Sequence, residues 1–287
     1  MKTTSRTDRR TRAGDTVFAA GAHVSLSLWS VIVIIPFLWV VLSSFKTTKE
    51  ILASPFSLPQ AWSFRNYAAA WTDAGIGRYF LNTVIVVGCA LVMVMLLGAM
   101  CAYVLARFSF PGNRIIYNVL VASMSFPAFL AIVPLFFILS NFGILNTRTG
   151  LILTYVAFAL PFTVFFLHSF FETLPEDVYE AALIDGAGQW RAFFSVMLPM
   201  AKPGMASVAI LNFLGLWNQF LLPVVLNTNK KNYVLTQGMA GFASSAGYAI
   251  DFGSLFAAVV MTVLPVLAVY VVFQRQLQGS VSQGTFR

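Results

Sequence analysis

The chain has 287 residues, of which 59% are hydrophobic and only 10% are charged, and its formal net charge is +8 at pH 7. Soluble domains carry roughly 25% charged residues and about 45–50% apolar ones. The mean hydropathy of +0.80 shows the same shift toward apolar residues. This composition excludes a disordered chain, a small disulfide-stapled domain and an ordinary soluble enzyme. It predicts a membrane protein.

Six long stretches contain no Asp, Glu, Lys or Arg. Each exceeds the roughly 20 residues that a helix needs to cross about 30 Å of hydrocarbon. Backbone groups in lipid must bond within the chain, so we predict an all-α protein. The predicted transmembrane helices are residues 16–45, 79–106, 115–138, 149–171, 203–226 and 252–273. We expect Pro127 and Pro134 to kink the third and Pro161 to kink the fourth. A seventh uncharged stretch, 232–250, is rich in small and polar residues and should lie outside the bilayer, as a loop or short surface helix.

The distribution of lysine and arginine predicts the orientation. With the N-terminus inside, the inner segments hold eleven of these residues and the outer segments hold seven. We therefore expect both termini in the cytoplasm, with a basic tail at 1–15, an extracytoplasmic loop at 46–78 and a second tail at 274–287. The apolar core of the first span is longer than that of a cleaved signal peptide, which favours an uncleaved anchor. The positive charge is then a signal of topology, and we expect no nucleic-acid partner.

The predicted cytoplasmic loop, 172–202, holds five of the ten acidic residues. Thr173 and Glu176 have the spacing of a capping box, in which each side chain bonds the backbone of the other. The sequence therefore predicts a helix that begins at Thr173 and stops at Gly186, since glycine readily adopts the left-handed conformation at a helix end. A second short helix, 189–197, should end before the proline two residues later.

Within this loop the sequence reads E-A-A, three residues, G, nine residues and V-x-L-P. It resembles the EAA loop of ATP-binding-cassette (ABC) importer permeases, which ends in I-x-L-P. The D-G-A at 185–187 resembles the carbohydrate, maltose-transporter-type branch. The resemblance implies a coupling helix that docks on a cytoplasmic ATPase. The implied coupling residues are Glu180, Ala181, Ala182, Asp185, Gly186, Leu198 and Pro199. Ala181, Ala182 and Gly186 have almost no side chain and would let another protein approach the helix backbone closely, while Glu180 and Asp185 would supply charge at the edges of that contact.

The C-terminal residues resemble the Q-R…G…G…K tail of the maltose-transporter type, with Arg287 in place of the final lysine. In that family the tail reaches between the two ATPase subunits. The residues implied to contact the ATPase are Gln274, Arg275, Gly279 and Gly284. Weaker resemblances lie in the A-R-F-x-F-P-G turn at 106–112, in the W-N-x-F motif at 217–220 and in the additional first span.

The resemblance implies a type-1 ABC-importer permease fold in the cytoplasmic membrane of a bacterium or archaeon. It also implies transport of a sugar or oligosaccharide by a chain that is not itself an enzyme. The implied partners are cytoplasmic ABC ATPase subunits, a second homologous permease, and an extracytoplasmic solute-binding lipoprotein or periplasmic protein. ATP and Mg²⁺ would bind to the ATPase, and no cofactor or metal to this chain. Residues 238–247 would form a scoop loop that enters the cleft of the binding protein.

The lack of charge within the spans bears on the source of energy. Proton-coupled transporters usually carry an intramembrane carboxylate or histidine. The two histidines, His23 and His168, lie near predicted cytoplasmic span ends, where we expect a solvated or interfacial role. The chain lacks the G-x-x-x-x-G-K-[ST] loop, so the ATPase must be another protein.

An ABC permease for a non-sugar solute is an open alternative, because the loop motif is shared. A secondary transporter or an intramembrane enzyme is disfavoured, since no span carries the charged or paired groups that either needs.

Polar side chains in the fifth span are candidates for the substrate pathway, and they are Asn212, Trp217, Asn218 and Gln219. Amides can donate to and accept from sugar hydroxyls, and an indole can stack on a sugar face. The alternative is that these groups only bond between helices or anchor at the interface.

Cys89 and Cys101 are about 18 Å apart along one predicted helix, so they cannot form a disulfide with each other.

Overall fold

The structure is a computed structural model that describes residues 5–245 and 251–283. All regular structure in this part of the chain is helical. The α-helices are α1 (Ser5–Ser43), α2 (Thr48–Ala53), α3 (Arg65–Thr72), α4 (Ile76–Arg107), α5 (Asn113–Ser123), α6 (Ile132–Asn141), α7 (Arg148–Glu172), α8 (Glu176–Ile184), α9 (Gln189–Arg191), α10 (Leu198–Met200), α11 (Lys202–Trp217), α12 (Leu221–Leu226), α13 (Leu235–Ser245) and α14 (Phe252–Gln283). Two 3₁₀-helices cover Ala128–Ala131 and Lys230–Asn232. A π-helix covers Ala192–Met197.

Within the residues that the structure describes, four helices are long and apolar enough to cross a membrane. They are Phe18–Ser43 within α1, α4, α7, and Phe252–Gln274 within α14. Two bent pairs of helices pass the same test together, and they are α5 with Ala128–Asn141, and Gln189–Met200 with α11. If each bent pair is one span, the described residues hold six spans, in agreement with the number predicted from the sequence.

The third predicted span is broken rather than gently kinked. Its two halves meet at 99°, between Ser123 and Ala128. Pro127 has φ −62° and ψ 122°, outside the helical region, and proline also disfavours the helical conformation of the residue before it. The kink expected at Pro134 is wrong, because this residue lies in the first turn of α6, where a proline leaves no intrahelical bond unmade. α7 runs unbroken through Pro161.

The fifth predicted span is also interrupted, so a single helix over 203–226 is wrong. α11 ends at Trp217 and α12 begins at Leu221. A continuous helix would need the N–H of residue 223 to bond the carbonyl of Gln219, and Pro223 has no N–H. The Gln219 carbonyl instead accepts the Thr236 hydroxyl at 2.7 Å.

The described residues form two compact units. The N-terminal unit comprises residues up to 70 together with 251–260, and the bundle unit comprises 71–245 together with the rest of α14. In the N-terminal unit, the apolar side chains of α1 between Val24 and Leu38 are largely exposed. An apolar helix left exposed all round is what a bilayer covers.

The bundle unit is built on close packing of α4 against α7. Ala90, Val94, Gly98 and Ala102 form a fully buried stripe on α4 at a spacing of four residues. Residues four apart lie on one helix face, and small side chains there let two backbones approach closely. At Gly98 the approach is so close that a Cβ would lie 2.5 Å from the Thr163 methyl carbon on α7.

Candidate coupling site

The loop predicted to be cytoplasmic folds as two helices, which we name the coupling hairpin (residues 173–200). Its first helix, α8, begins at Glu176 after Pro175 rather than at Thr173. The predicted capping box is wrong, because Thr173 is the C-cap of α7 and its hydroxyl donates to the Phe170 carbonyl at 2.7 Å. The extended Pro175 separates this threonine from the first turn of α8.

The end of α8 follows the sequence prediction closely. Gly186 has φ +80°, the left-handed conformation that residues other than glycine adopt at a cost. Its N–H donates to the Leu183 carbonyl, and the Ala187 N–H donates to the Ala182 carbonyl, both at 3.0 Å. These two bonds define a Schellman motif, which satisfies carbonyls at the end of a helix and reverses the chain.

The predicted coupling residues divide into two sets. Those on α8 and the following turn are exposed or half-buried, with Glu180, Ala181, Asp185 and Gly186 exposed and Ala182 half-buried. Leu198 and Pro199 are half-buried and lie in the second helical segment instead. The structure thus brings the acidic and small residues together on one helix and its cap. Their role in coupling stays a prediction.

Exposed apolar side chains accompany the coupling residues, and we did not predict them from the sequence; two of them are more than half exposed. Ile184 is 85% exposed at the end of α8, and Trp190 is 67% exposed at the start of the second segment. Their position in a predicted loop outside the membrane could have identified them in the sequence. Large apolar residues in such a loop need either a core or a partner to cover them. The exposed face of the hairpin therefore combines small, acidic and large apolar groups.

The second segment of the hairpin does not end before Pro199, as we expected. It continues to Met200, because the π-helix Ala192–Met197 changes the hydrogen-bond pattern ahead of the proline. Single turns of π-helix often mark functional sites. The chain then bends by 76° into α11 at Ala201, whose N–H bonds the Met197 carbonyl at 3.0 Å. The hairpin is therefore directly continuous with a helix of the bundle unit.

An aromatic cluster anchors the hairpin on the bundle. Tyr103 of α4 is 4% exposed and lies at its centre. Its ring centroid is 4.9 Å from that of Phe193, 5.6 Å from that of Phe171 and 6.5 Å from that of Tyr179. These partners belong to the π-helix, α7 and α8 respectively. Four helical segments therefore meet on one side chain.

Two polar contacts reinforce this anchor. The Arg107 guanidinium, at the end of α4, donates to the Leu174 carbonyl in the turn between α7 and α8. The Tyr179 hydroxyl donates to the Gln189 side-chain oxygen at 2.8 Å and joins the two arms of the hairpin. The hairpin is therefore tied to the end of α4 and to the turn that follows α7.

Two of the predicted pathway residues are committed to contacts between helices. Asn212 is 5% exposed, and its amide donates to the Thr163 hydroxyl at 2.8 Å. Trp217 is 4% exposed, and its indole N–H donates to the Thr262 carbonyl at 3.2 Å. These contacts favour the alternative of interhelical bonding.

The other two predicted pathway residues lie at the break between α11 and α12. Asn218 is exposed and its amide donates to the Leu214 carbonyl at 2.8 Å. Gln219 is half-buried and its side-chain oxygen accepts the Phe220 N–H at 3.1 Å. Neither side chain crosses to another helix through these bonds. Their contact with substrate stays a prediction.

The stretch 232–250 does form a short helix, α13, but the expectation of a surface position is wrong for its first half. Leu235 is fully buried, and a Cβ on Gly238 would lie 2.0 Å from the ring of Tyr79. Asn82 of α4 donates to the carbonyls of Lys231 and Tyr233 at 2.9 and 2.8 Å. The base of the predicted scoop loop is thus fastened to α4. Residues 246 and 247 of that loop lie outside the described residues.

The predicted ATPase-contacting tail begins as a continuation of α14, which extends to Gln283. Gln274 is exposed, and Arg275 and Gly279 lie within the helical backbone. Gly284 lies outside the described residues. The contact of this tail with an ATPase stays a prediction.

His168 is buried, contrary to the expected solvated or interfacial position. It is 9% exposed, its ring is stacked on Tyr117 with 4.2 Å between centroids, and its Nδ1 lies 3.7 Å from a carboxylate oxygen of Glu172. Within the described part of the chain, no three His, Cys, Asp or Glu residues are grouped as a metal site.

Comparison with known proteins identifies the family. Residues 94–283 match the model described as "Binding-protein-dependent transport system inner membrane component". The chain is 73% identical over 279 residues to the diacetylchitobiose uptake system permease protein NgcG of Streptomyces coelicolor, covering 97% of this chain and 92% of the relative. It is 31% identical over 254 residues to the trehalose transport system permease protein SugB of Mycobacterium tuberculosis, covering 88% and 92%.

A solved structure shares the fold. A chain from the crystal structure of a bacterial ABC transporter involved in the import of the acidic polysaccharide alginate superimposes with a TM-score of 0.80 at 22% identity, covering 96% of this chain and 99% of that one. The helical architecture and the spans described above agree with such a permease. The chain therefore belongs to the family of binding-protein-dependent transport system inner membrane components, as a multi-pass membrane protein.

Proposed function

We propose that the chain is a permease subunit of an ABC importer that carries a sugar or oligosaccharide of the chitobiose type across the cytoplasmic membrane. The observation that carries this proposal is the 73% identity, over nearly the whole chain, to a diacetylchitobiose uptake permease. More distant relatives named for trehalose, and for melibiose, raffinose and stachyose, support a sugar over another class of solute.

In this proposal the chain provides the membrane pathway and performs no chemistry itself. ATP and Mg²⁺ bind to separate cytoplasmic ATPase subunits, a second homologous permease completes the pathway, and an extracytoplasmic binding protein delivers the sugar. The exposed face of the coupling hairpin supports an ATPase partner. It combines small residues with Ile184 and Trp190, and exposed apolar groups with a polar rim are typical of a protein interface.

Coupling would follow from the anchoring of the hairpin. When the ATPase subunits close, they would move α8 together with the second segment, since the hydroxyl of Tyr179 joins these two arms. The Tyr103 cluster and the Arg107 contact would carry the motion to α4 and α7. The 76° bend would carry it to α11. Packed helices transmit such motion because they change between discrete arrangements rather than deforming continuously.

The partner assignment is tested by affinity purification of the tagged chain in mild detergent, followed by mass spectrometry. We expect to recover a P-loop ATPase and a second permease. Gly186→Asp should insert normally but lose the ATPase, because it adds charge and volume to the exposed cap and strains the left-handed backbone. Gly188→Asp is the matched control, since this neighbour has an ordinary φ of −67° and no atom within 4 Å of a Cβ.

Gly186→Asn separates charge from volume, because asparagine has the size of aspartate and, like it, tolerates the left-handed conformation. Loss of the ATPase in this variant as well would assign the effect to the volume of a side chain at the exposed cap, and retention would assign it to the charge. A well-expressed Gly186→Asp that keeps its ATPase and transports normally would contradict the coupling assignment.

The substrate is tested by uptake of labelled diacetylchitobiose in cells that lack the chain, with and without complementation. Uptake should return on complementation, and unlabelled trehalose should compete weakly. If complementation restores only the uptake of another sugar, the chitobiose assignment is wrong. If it restores only the uptake of a non-sugar solute, the carbohydrate assignment fails as well.

A further inference from the structure

The N-terminal unit contains a cavity of about 700 Å³, with charged residues in its lining, within the loop that joins the first two spans. It is lined by residues between Phe45 and Asn66, so one segment of the chain builds the whole of it. The charged side chains in its lining are Lys46, Lys49, Glu50 and Arg65. Hydroxyl and amide groups of Ser57, Ser63 and Gln60 also line it.

Lys46 is the unusual member of this set. It is only 1% exposed. Its ammonium donates to the carbonyls of Ser54 and Pro55 at 3.2 and 3.0 Å and to the Ser57 hydroxyl at 3.3 Å. Within the described part of the chain, no carboxylate oxygen lies within 4.0 Å of the Lys46 ammonium. The pair of oppositely charged groups that is this close there is His168 and Glu172. Lys46 therefore has hydrogen-bond partners but no carboxylate in direct contact, and its counter-charge is the more distant Glu50. A buried cation without a close partner is costly.

The one carboxylate in the lining is already engaged. Glu50 accepts from the Thr47 N–H at 2.7 Å and from the Thr47 hydroxyl at 2.9 Å in the capping box of α2. These donors, together with the Gln60 backbone and the positive charge of Lys46, hold the pKa of Glu50 below its usual value. The cavity thus holds three cations against one committed anion, a surplus of two positive charges.

We propose that this cavity receives an acidic side chain of the solute-binding protein when that protein docks on the permease. The proposal rests on the proposed function, because it needs residues 46–78 to lie on the extracytoplasmic side, where the binding protein is. An incoming carboxylate would offset the surplus of positive charge in the lining, and the exposed Lys49 and Arg65 would attract it toward the cavity.

The surroundings of the cavity favour a protein over a small anion. Phe56, Trp62 and Phe64 are 87, 64 and 70% exposed in the same loop. Exposed aromatic residues beside arginine are the composition of the centre of a protein interface, where tryptophan and arginine contribute most of the binding energy. The cavity would then orient the partner by charge, while the aromatic residues supply the apolar contact area.

The test uses the purified transporter in nanodiscs together with the binding protein recovered in the purification described above. ATPase activity is measured against the concentration of binding protein for the wild type and for Lys49→Glu/Arg65→Glu. Both side chains are exposed, so the fold should tolerate the change. We expect the half-maximal concentration to rise about tenfold at low ionic strength, because reversing two rim charges removes two attractions and adds two repulsions. The rise should shrink in high salt, which screens exposed charges.

The matched control is Arg78→Glu/Arg148→Glu. It makes the same change in charge at exposed positions that are predicted to face the same side but lie outside the cavity. We expect less than about a twofold rise for this control. Equal effects of the two double variants, or no effect of the cavity variant, would overturn the proposal.

Two further outcomes are informative. If the defect of the cavity variant occurs only in nanodiscs with phosphatidylglycerol and not in phosphatidylcholine alone, the cavity binds a lipid headgroup and the proposal is wrong. If the binding protein fails to stimulate even the wild type, the proposed function fails, and this proposal fails with it. Thermal melting of each variant checks that it is folded.

Discussion

The close approach of α4 and α7 at Gly98 makes a sharp prediction. In Gly98→Ala the new Cβ would lie 2.5 Å from the methyl carbon of Thr163 and 3.0 Å from its Cβ, whereas carbon atoms pack best at about 3.5–4.0 Å. Overpacking of this kind costs about 1–3 kcal/mol. Alanine recovers part of that cost, because it favours a helix over glycine by about 1 kcal/mol. We therefore expect a net destabilisation of about 0–2 kcal/mol relative to the wild type.

The same helix provides the control. Gly88 is exposed on α4, and a Cβ there has no atom within 4 Å, so Gly88→Ala should show only the gain in helix propensity. Thr163→Ser should rescue Gly98→Ala, because serine lacks the clashing methyl group but keeps the hydroxyl that accepts from Asn212. The rescue should be incomplete, since the methyl group of Thr163 also contributes buried apolar surface.

The assay is thermal aggregation of the purified protein in detergent. A difference of 1 kcal/mol corresponds to roughly 2–4 °C in melting temperature for a chain of this size class. Gly98→Ala should melt several degrees below Gly88→Ala, and the double variant should recover most of the loss. Two results would contradict this reasoning. One is a melting temperature of Gly98→Ala that is no lower than that of Gly88→Ala. The other is a further drop in melting temperature when Thr163→Ser is added to Gly98→Ala.

Three further predictions concern other parts of the chain. Asn82→Ala should leave two backbone carbonyls of the last outer loop without their donor and destabilise the protein by about 1–3 kcal/mol, and an unchanged melting temperature would contradict this. Thr47 lowers the pKa of Glu50, so the carboxylate stabilises the fold above its unfolded pKa and this stabilisation is lost as pH falls. Glu50→Gln should therefore melt at a lower temperature than wild type at pH 7, and the difference in melting temperature should narrow below about pH 4. A difference in melting temperature that does not change with pH would refute this argument. Trp217→Phe should lower the melting temperature and change the KM for sugar uptake little, since the indole N–H donates to the Thr262 carbonyl. A raised KM with an unchanged melting temperature would instead place this residue in the substrate pathway.

The class of protein could be predicted from the sequence because its signals are local. Hydropathy measured over about 20 residues reports the transfer of each helix into lipid, whatever its neighbours are. The E-A-A to L-P spacing lies within one loop, and the end of α8 depends on Gly186 and the residues just before it. These features required no knowledge of which helices meet.

The breaks in two spans were less accessible from the sequence. Pro127 was recognised as a perturbing residue, but hydropathy does not measure the angle between two helical halves. The capping box at Thr173 failed because a second local structure, the C-cap of α7, used the same hydroxyl. Thr173 could act either as the N-cap of α8 or as the C-cap of α7. The non-helical backbone of Pro175 favours its role at the end of α7.

The sequence by itself determined that the chain is a multi-pass helical membrane protein whose E-A-A loop resembles that of ABC permeases, since composition, spacing and turn chemistry act over short distances. Only the tertiary structure decided which side chains bury each other. It assigned Asn212 to Thr163, gathered four helical segments around Tyr103 and buried Lys46 in a cavity that has no spare carboxylate. The physical reason is that burial, charge compensation and helix packing depend on partners far apart in the chain, and their positions are settled only when the helices assemble.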